Sequence, residues 1–334
     1  MDIEDIVALS VKHNAGDLHL CSGHYPFWRC NGRLERIAGE NVVPHEWLES
    51  FALRWLSTAQ HQELARSGQV DLALTMPQGV RLRANLFRQR YGLSLALRLI
   101  ASECPPLESL HLPAISGSLL QLQEGLVLIT GATGSGKSTT LAALIATMNQ
   151  QQQRHILTLE DPIEFLHVSA QSLIQQRERG QHFTCFDAGL RAALREDPDV
   201  ILLGELRDAE TIQLALTAAE TGHLVLATLH TRGAAQAVDR LVDVFPGSEK
   251  NLVRSQLAGS LKVVIAQRLV AAPQGRIALF EVLVNSPAVA NLIREGKTHQ
   301  LPALLQTGSQ QGMQTFEQSL TERQKMGLLA GEVA

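Results

Sequence analysis

The chain has 334 residues, 45% of them hydrophobic, and a formal net charge of −4 at pH 7. This length suffices for about two globular domains with apolar cores of their own. The charge argues against a basic field that draws a chain to nucleic acid or anionic lipid, so we expect a protein or a small anion as the partner.

The cysteines and the first residues indicate the compartment. The four cysteines lie far apart and form no Cys-x-x-Cys pair, so neither a zinc ribbon nor a disulfide framework is indicated. Residues 1–5 are acidic and lack the basic-then-apolar order of a signal peptide. No apolar run approaches the ~20 residues that span a bilayer. We therefore expect a cytoplasmic protein with reduced thiols and no transmembrane segment.

Residues 1–100 are predicted to form a separate, smaller α/β domain. Apolar residues recur at helical spacing over residues 48–56. They alternate with polar residues over residues 80–86 and 93–99, which predicts an antiparallel pair of strands joined at residues 90–92.

This alternation places Arg81, Arg83 and Arg98 on one exposed face of the predicted sheet. From the alternation alone, an ordinary solvated face is the simpler interpretation. Pro105 and Pro106 then interrupt regular structure, and we assign residues 101–117 to an interdomain linker.

Residues 118–334 are predicted to form a doubly wound α/β domain. Apolar strands are expected at residues 126–130, 155–159, 199–203 and 224–229, and the segments between them are long enough for parallel crossovers. After residue 243 we expect mostly helices, with one strand-like run at residues 277–284. Ligands of such sheets lie outside the carboxyl ends of the strands, so the polar clusters that follow each strand are the candidate site.

The first of these clusters fits the phosphate-binding pattern G-x-x-x-x-G-K-[ST] at every fixed position. Its residues are Gly131, Ala132, Thr133, Gly134, Ser135, Gly136, Lys137 and Ser138, and Thr139 follows in the same nucleotide-binding segment. The glycines let consecutive backbone N–H groups face an anion, and the following helix adds its dipole. We expect Lys137 to neutralise the β- and γ-phosphates of ATP and Ser138 to bind Mg²⁺.

Acidic residues and a histidine follow the other strands. Glu205 ends a Walker-B-like strand, with glutamate in place of the usual aspartate, where it is expected to bind Mg²⁺ directly or through water. One of Glu160, Asp161 and Glu164 can act as general base after the neighbouring strand. His230 can donate a hydrogen bond to the γ-phosphate. For Arg207 the sequence leaves three roles open: arginine finger, helix-end charge or salt-bridge partner.

Four clusters together resemble the secretion-superfamily ATPases, and within them the PilT-like pilus retraction (twitching-motility) ATPases. They are GATGSGKSTT, LTLEDPIE, LREDPDVILLGELRD followed by x-ET, and TAAETGHLVLATLHT, which correspond to the Walker A, Asp box, Walker B and His box. The resemblance covers about residues 80–320, including VDRLVDVFP and GMQTFEQSL. Pilus assembly and type II secretion ATPases usually carry a four-cysteine zinc module, so its absence favours the retraction-like branch.

The resemblance implies a RecA-like P-loop core, a PAS-like N-terminal domain and a hexameric ring with ATP bound between subunits. It implies that Glu164 is the catalytic base and Glu205 the Walker-B acid, and that His223 and His230 are the histidines of the His box. It also implies that Arg83 and Arg98 approach the phosphates across the site.

The sequence thus predicts an Mg²⁺-dependent ATPase that acts as a homohexameric motor on an inner-membrane pilus or secretion platform protein. Two other functions stay open. A nucleic-acid translocase with a RecA-like core is disfavoured by the negative charge and by the absence of a basic, aromatic-interleaved groove. The other is a nucleotide-gated adaptor that binds ATP and barely hydrolyses it.

Overall fold

The computed structural model describes residues 3–13, 15–30, 33–77, 79–100, 104–273 and 275–329. The chain divides into two compact units, Met1–Glu103 and Cys104–Ala334. In the described ranges, no helix is both long enough and apolar enough to cross a membrane.

The first unit packs three helices and an antiparallel sheet around one apolar core. Its helices are α1 (Ile3–Lys12), α2 (His45–Trp55) and α3 (Thr58–Ser67). Its strands are β1 (Asp17–Cys21), β2 (Phe27–Cys30), β3 (Arg33–Arg36), β4 (Gln69–Thr75), β5 (Arg81–Gln89) and β6 (Gly92–Ile100). They are arranged in the order β3-β2-β1-β6-β5-β4.

The predicted antiparallel pair of the first unit is confirmed as β5 and β6. Leu82, Ala84 and Leu86 are buried, whereas Arg83 on the other face is exposed and lies directly opposite Arg98. Period-two alternation therefore separates the core from an arginine-bearing face, as expected from the pleat of a strand.

The second unit contains a seven-stranded sheet. Its strands are β7 (Gly125–Thr130), β8 (His155–Glu160), β9 (Leu173–Glu178), β10 (Val200–Leu203), β11 (Leu224–Leu229), β12 (Leu261–Ala272) and β13 (Gly275–Val284). Its α-helices are α4 (Ser116–Gln121), α5 (Lys137–Gln151), α6 (Phe186–Ala193), α7 (Ala209–Glu220), α8 (Ala234–Asp243), α9 (Lys250–Ser260), α10 (Pro287–Arg294), α11 (Leu301–Thr307) and α12 (Phe316–Lys325). Short 3₁₀ helices occur at Leu107–Leu110, Thr298–Gln300 and Ser309–Gln311.

The strand order is β13-β12-β7-β11-β10-β8-β9, and all neighbouring strands are parallel except β12 and β13. Leu126 and Leu128 of β7 belong to one apolar layer, together with residues of α6 to α11. Val127 and Ile129 face the other layer, which includes the apolar side of α5. The prediction of a doubly wound, mostly parallel α/β sheet beside a smaller α/β unit is therefore confirmed.

Two parts of the second unit differ from the sequence-based prediction. The four expected strands are present as β7, β8, β10 and β11, but β9 and β12 were not predicted. The expectation of a single strand after residue 243 is wrong, because β12 and β13 form a long antiparallel pair.

The division between the two units falls within the predicted linker, and residues 104–117 of that linker belong to the second unit. Residues 101–103 of the linker lie outside the described residues. Leu107, Leu112 and Ile115 pack against the core of the second unit.

Candidate active site

Four of the polar clusters meet at one edge of the second unit's sheet. Strands β7, β11, β10 and β8 are consecutive in the sheet and parallel, so their carboxyl ends finish at the same edge. The phosphate-binding loop follows β7, His230 follows β11, Glu205 follows β10, and residues 161–164 follow β8.

The phosphate-binding loop is shaped by close approaches that only glycine permits. A Cβ on Gly131 would lie 2.3 Å from the backbone oxygen of Gln267. Gly136 has φ of 90°, in the left-handed region, and directly precedes α5. Ser135 is buried, and its Oγ has no hydrogen-bond partner among the described residues. A glycine cradle, a helix N-terminus and an unpartnered buried hydroxyl together fit a bound phosphate group.

Lys137 is the first residue of α5 and is only 8% exposed. Its Nζ donates hydrogen bonds to the carbonyl oxygens of Gly131 at 2.8 Å and Ala132 at 3.1 Å. Burial lowers the pKa of Lys137, while the charges of Glu205 and Glu164 act to raise it. The ammonium group of Lys137 is therefore close enough to Glu205 and Glu164 for their charges to act on it. Ser138 and Thr139 follow it in the first turn of the helix and are half-buried.

The carboxylate of Glu205 contacts two side chains of this edge, Arg207 and His230. Arg207 Nη2 lies 2.7 Å and His230 Nε2 3.0 Å from its carboxylate oxygens. Burial acts to raise the pKa of Glu205, but the hydrogen bond from Arg207 and the charge of His230 outweigh it and leave the pKa lowered. Of the three roles left open for Arg207, the structure shows a salt-bridge partner.

The remaining members of the four clusters divide between the two edges of the sheet. Asp161 pairs with Arg179 at 3.0 Å on the edge that carries Glu164. His223 precedes β11 and lies at the opposite end from His230, where its ring contacts the carbonyl oxygen of Ala218 at 3.1 Å. His223 is thus not brought to the site.

Thr130, Thr140 and Gln267 make side-chain hydrogen bonds near this edge that were not recognised from the sequence. Thr130 Oγ1 accepts a hydrogen bond from the backbone N–H of Thr231 at 3.0 Å, which ties the end of β7 to the segment after His230. Gln267, on β12, accepts a hydrogen bond from Thr140 Oγ1 of α5 at 2.8 Å. The two residues of each hydrogen bond are far apart in the sequence, so no local pattern connects them. Gln267 could have been found only through its strand, β12, which was not predicted.

Arg83 and Arg98 belong to the first unit. Arg98 Nε pairs with Asp17 at 2.7 Å, and both arginines line an open groove of about 370 Å³ on the exposed face of that sheet. Asp17, His19 and Arg29 line the same groove, so its surface is polar.

The second unit offers few ligands for a metal. Within the part of the chain that the structure describes, no group of three or more His, Cys, Asp or Glu residues could hold a metal ion. Magnesium is usually bound by one or two protein oxygens together with substrate phosphates. Ser138, in the first turn of α5, and Glu205, which follows β10, carry oxygen atoms that fit that mode of binding.

Known proteins resemble the chain over nearly its whole length. Residues 2–329 match the family described as type II/IV secretion system protein. The chain is 60% identical to a protein of Escherichia coli (strain K12) described as uncharacterized protein YggR, over 98% of this chain and 100% of that protein. It is 45% identical to a Pseudomonas aeruginosa protein described as "Type IV pilus retractation ATPase PilT", over 100% of this chain and 97% of that protein.

A solved structure, that of the pilus retraction motor PilT with bound ADP, is similar in fold. The TM-score is 0.90 with 40% sequence identity, and the match covers 99% of this chain and 95% of that chain.

Proposed function

This chain belongs to the type II/IV secretion system protein family, and we propose that it is an ATP-hydrolysing motor of the pilus-retraction type. The observation that carries this proposal is the meeting of Lys137, Glu164 and Glu205 at one edge of the sheet, where the charges of both acids act on the lysine. The similarity to a retraction ATPase and to a retraction motor with bound ADP supports it.

ATP would bind with its phosphates on residues 131–139. The backbone N–H groups of the loop and the N-terminus of α5 face the phosphates, and Lys137 neutralises their negative charge. Ser138 and Glu205 would hold Mg²⁺, which supplies positive charge to the β- and γ-phosphate oxygens when bound. Glu205 is suited to that role because it is ionised, with a lowered pKa.

Hydrolysis also requires a group that takes a proton from the attacking water. We assign this role to Glu164, which would accept the proton while the water oxygen bonds to the γ-phosphorus and the bond to the β-phosphate oxygen breaks. His230, held 3.0 Å from Glu205, would donate a hydrogen bond to the γ-phosphate. Its link to Glu205 would let the two residues respond together to loss of that phosphate.

At the level of the assembly, we propose a cytoplasmic homohexameric ring that acts on a membrane platform protein of a pilus or secretion system. Arg83 and Arg98 would reach the phosphates from a neighbouring subunit. Two basic side chains on an exposed, polar face suit a transient contact with a triphosphate.

The test is phosphate release by the purified chain in Mg-ATP, measured beside nucleotide binding. Glu164→Gln should lower kcat by about 10²-fold or more while ATP binding is kept, because only proton transfer is lost. Lys137→Ala should lose ATP binding as well. Glu210→Gln is a matched control, because Glu210 pairs with Arg191 on the exposed surface. If the wild-type chain turns over no faster than Glu164→Gln or Lys137→Ala, the protein is a nucleotide-gated adaptor and the proposal fails.

A further inference from the structure

The loop that carries Glu164 is bound on both sides of this residue by side chains of β9. The Glu178 carboxylate accepts a hydrogen bond from the backbone N–H of Ile163 at 3.1 Å. Gln176 Nε2 donates to the carbonyl oxygen of Phe165 at 2.8 Å, and Gln176 Oε1 accepts from the N–H of His167 at 2.8 Å. Backbone groups immediately before and after Glu164 are thus fixed by one edge strand.

A third contact comes from the end of β8. The carboxylate of Glu160 accepts a hydrogen bond from the backbone N–H of Glu164 itself. Gln176 Nε2 also lies 3.3 Å from Glu160 Oε1, and Thr158 Oγ1 donates to the same oxygen at 2.7 Å. The amide of Gln176 therefore connects the end of β8 to the loop that follows it.

Burial reinforces this arrangement. Ile163 and Phe165, on either side of Glu164, are 6% and 8% exposed. Their side chains anchor the loop in the protein interior, while the charge of Glu164 acts on Lys137 in the phosphate-binding loop. A short segment held by buried side chains and by hydrogen bonds to its backbone has little freedom to move.

The far end of the loop is bound to the helix that begins at Lys137. Asn149 of α5 donates to the carbonyl oxygen of Val168 at 2.8 Å and accepts from the N–H of Ala170 at 2.9 Å. Asn149 is itself buried. The loop is thus held between α5 and β9, so the positions of Lys137 and Glu164 are set by one connected framework.

From these contacts we propose that Gln176 is a positioning residue, which holds the backbone of the Glu164 loop so that the carboxylate reaches the attacking water. This inference rests on the proposed function, because it assigns to Gln176 a role that acts through Glu164. The role requires an amide, because the side chain must donate a hydrogen bond through its Nε2 to the carbonyl oxygen of Phe165 and accept one through its Oε1 from the N–H of His167. Neither an apolar side chain nor a carboxylate of the same size can do both.

Two substitutions separate these requirements. Gln176→Leu removes the hydrogen bonds to Phe165 and His167, and also the one to Glu160, at similar side-chain volume. Gln176→Glu keeps an acceptor for His167 but places a carboxylate oxygen against the Phe165 carbonyl and the Glu160 carboxylate. We expect each to lower kcat by about tenfold or more, because small displacements of a catalytic group are costly. The ATP dissociation constant should change less than about twofold, because the phosphate-binding loop is untouched.

Gln175→Leu is the matched control. Gln175 is the preceding residue of β9, is exposed, and meets the ring of His155 at 3.0 Å instead of the Glu164 loop. The same substitution one position earlier should leave kcat within about twofold of wild type. If Gln176→Leu and Gln176→Glu both keep the wild-type kcat and only lower the melting temperature, Gln176 has a structural role alone and the inference is wrong.

A double variant tests whether Gln176 acts through Glu164. Single-turnover hydrolysis is measured for Glu164→Gln with and without Gln176→Leu. If the role of Gln176 is to place Glu164, the second substitution should cause little further loss. An equal further loss would overturn the inference and leave the ATPase assignment intact. If Glu164→Gln alone hydrolyses ATP at the wild-type rate, it is the assignment of Glu164 that fails.

Discussion

Glu160 illustrates how its surroundings decide the charge of a carboxyl group. It ends β8, where burial raises its pKa. Hydrogen bonds from Thr158, Gln176 and the backbone of Glu164 favour the charged form and oppose this rise, whereas the negative charge of Glu164 adds to it. The net result is a raised pKa for a carboxyl group that contacts the loop of the proposed base.

This raised pKa predicts a pH-dependent effect of Glu160→Gln on stability. The folded chain holds the proton of Glu160 to higher pH than the unfolded chain, whose ordinary value is 4.5. Stability from this group is therefore full below pH 4.5 and falls as the pH rises through the folded-state pKa. The amide that replaces the carboxyl group has no proton to lose, so the free energy of unfolding of the variant, relative to wild type, should increase from pH 4 to pH 8. The change is about 1.4 kcal/mol for each unit by which the pKa is raised.

Urea unfolding of both proteins at several pH values measures this difference. Comparing variant with wild type cancels the other titrating groups that the two chains share. A difference that stays constant, or that shrinks with rising pH, would contradict the raised pKa.

At the level of single residues, the positions of several site residues could be predicted from the sequence, and the partners of others could not. The order of strands and their common direction bring Lys137, Glu205 and His230 to one edge, because residues after parallel strands share that edge. The partner of Arg207 could not be chosen, since helix-end, interface and ion-pair roles leave the same local pattern. The catalytic and metal-binding roles of these residues stay predictions.

At the scale of the element, β12 explains most of what was missed in the second unit. It begins directly after α9, with no glycine or proline between them, and its first half is buried on both faces. A continuous apolar run of this kind has neither strand nor helix periodicity. The edge strand β9 was missed for the opposite reason: it is polar, because Gln175, Gln176 and Glu178 bind other side chains and loops.

The position of β12 predicts energetic coupling between this strand and α5. The buried Gln267 accepts the hydroxyl hydrogen of Thr140 at 2.8 Å, 127 positions away in the sequence. Gln267→Leu leaves a buried hydroxyl without its partner, and we expect a loss of about 1–3 kcal/mol in the free energy of unfolding. Adding Thr140→Val removes that hydroxyl. The double variant should therefore lose less free energy of unfolding than the sum of the losses of the two single variants.

A double-mutant cycle by urea unfolding measures this coupling. The expected interaction energy is about 0.5–3 kcal/mol, the range for contacting residues. Thr147→Val with Gln267→Leu serves as the control, because the Thr147 hydroxyl donates within α5 to the carbonyl oxygen of Ala143. Additive losses in the Thr140 cycle, as in the control, would show that Gln267 does not support the phosphate-binding helix.

At the scale of the whole molecule, the boundary between the two units falls inside the predicted linker, and residues 104–117 of that linker belong to the second unit. Pro105 and Pro106 prevent a long helix, but they do not prevent packing. The buried guanidinium of Arg323 on α12 donates a hydrogen bond to the carbonyl oxygen of His111, which fastens this segment to the second unit. A linker inferred from composition alone overlooks such a contact, because the partner is 212 positions away.

The proposal that Arg83 and Arg98 act on a neighbouring subunit's ATP can be tested by mixing two inactive variants. One carries Lys137→Ala and the other Arg83→Ala with Arg98→Ala, and the subunits are mixed in equal amounts and allowed to exchange. An intact site needs its phosphate-binding loop from the arginine variant and its arginines from the lysine variant. Random assembly of a ring provides that combination at about a quarter of the sites, so ATP hydrolysis should recover to about that fraction of wild type.

The control mixes Lys137→Ala with Glu205→Gln. Both residues lie in the same unit, so no intact site can form and no activity should return. If labelled subunits exchange but the arginine mixture stays inactive, the arginines do not act between subunits.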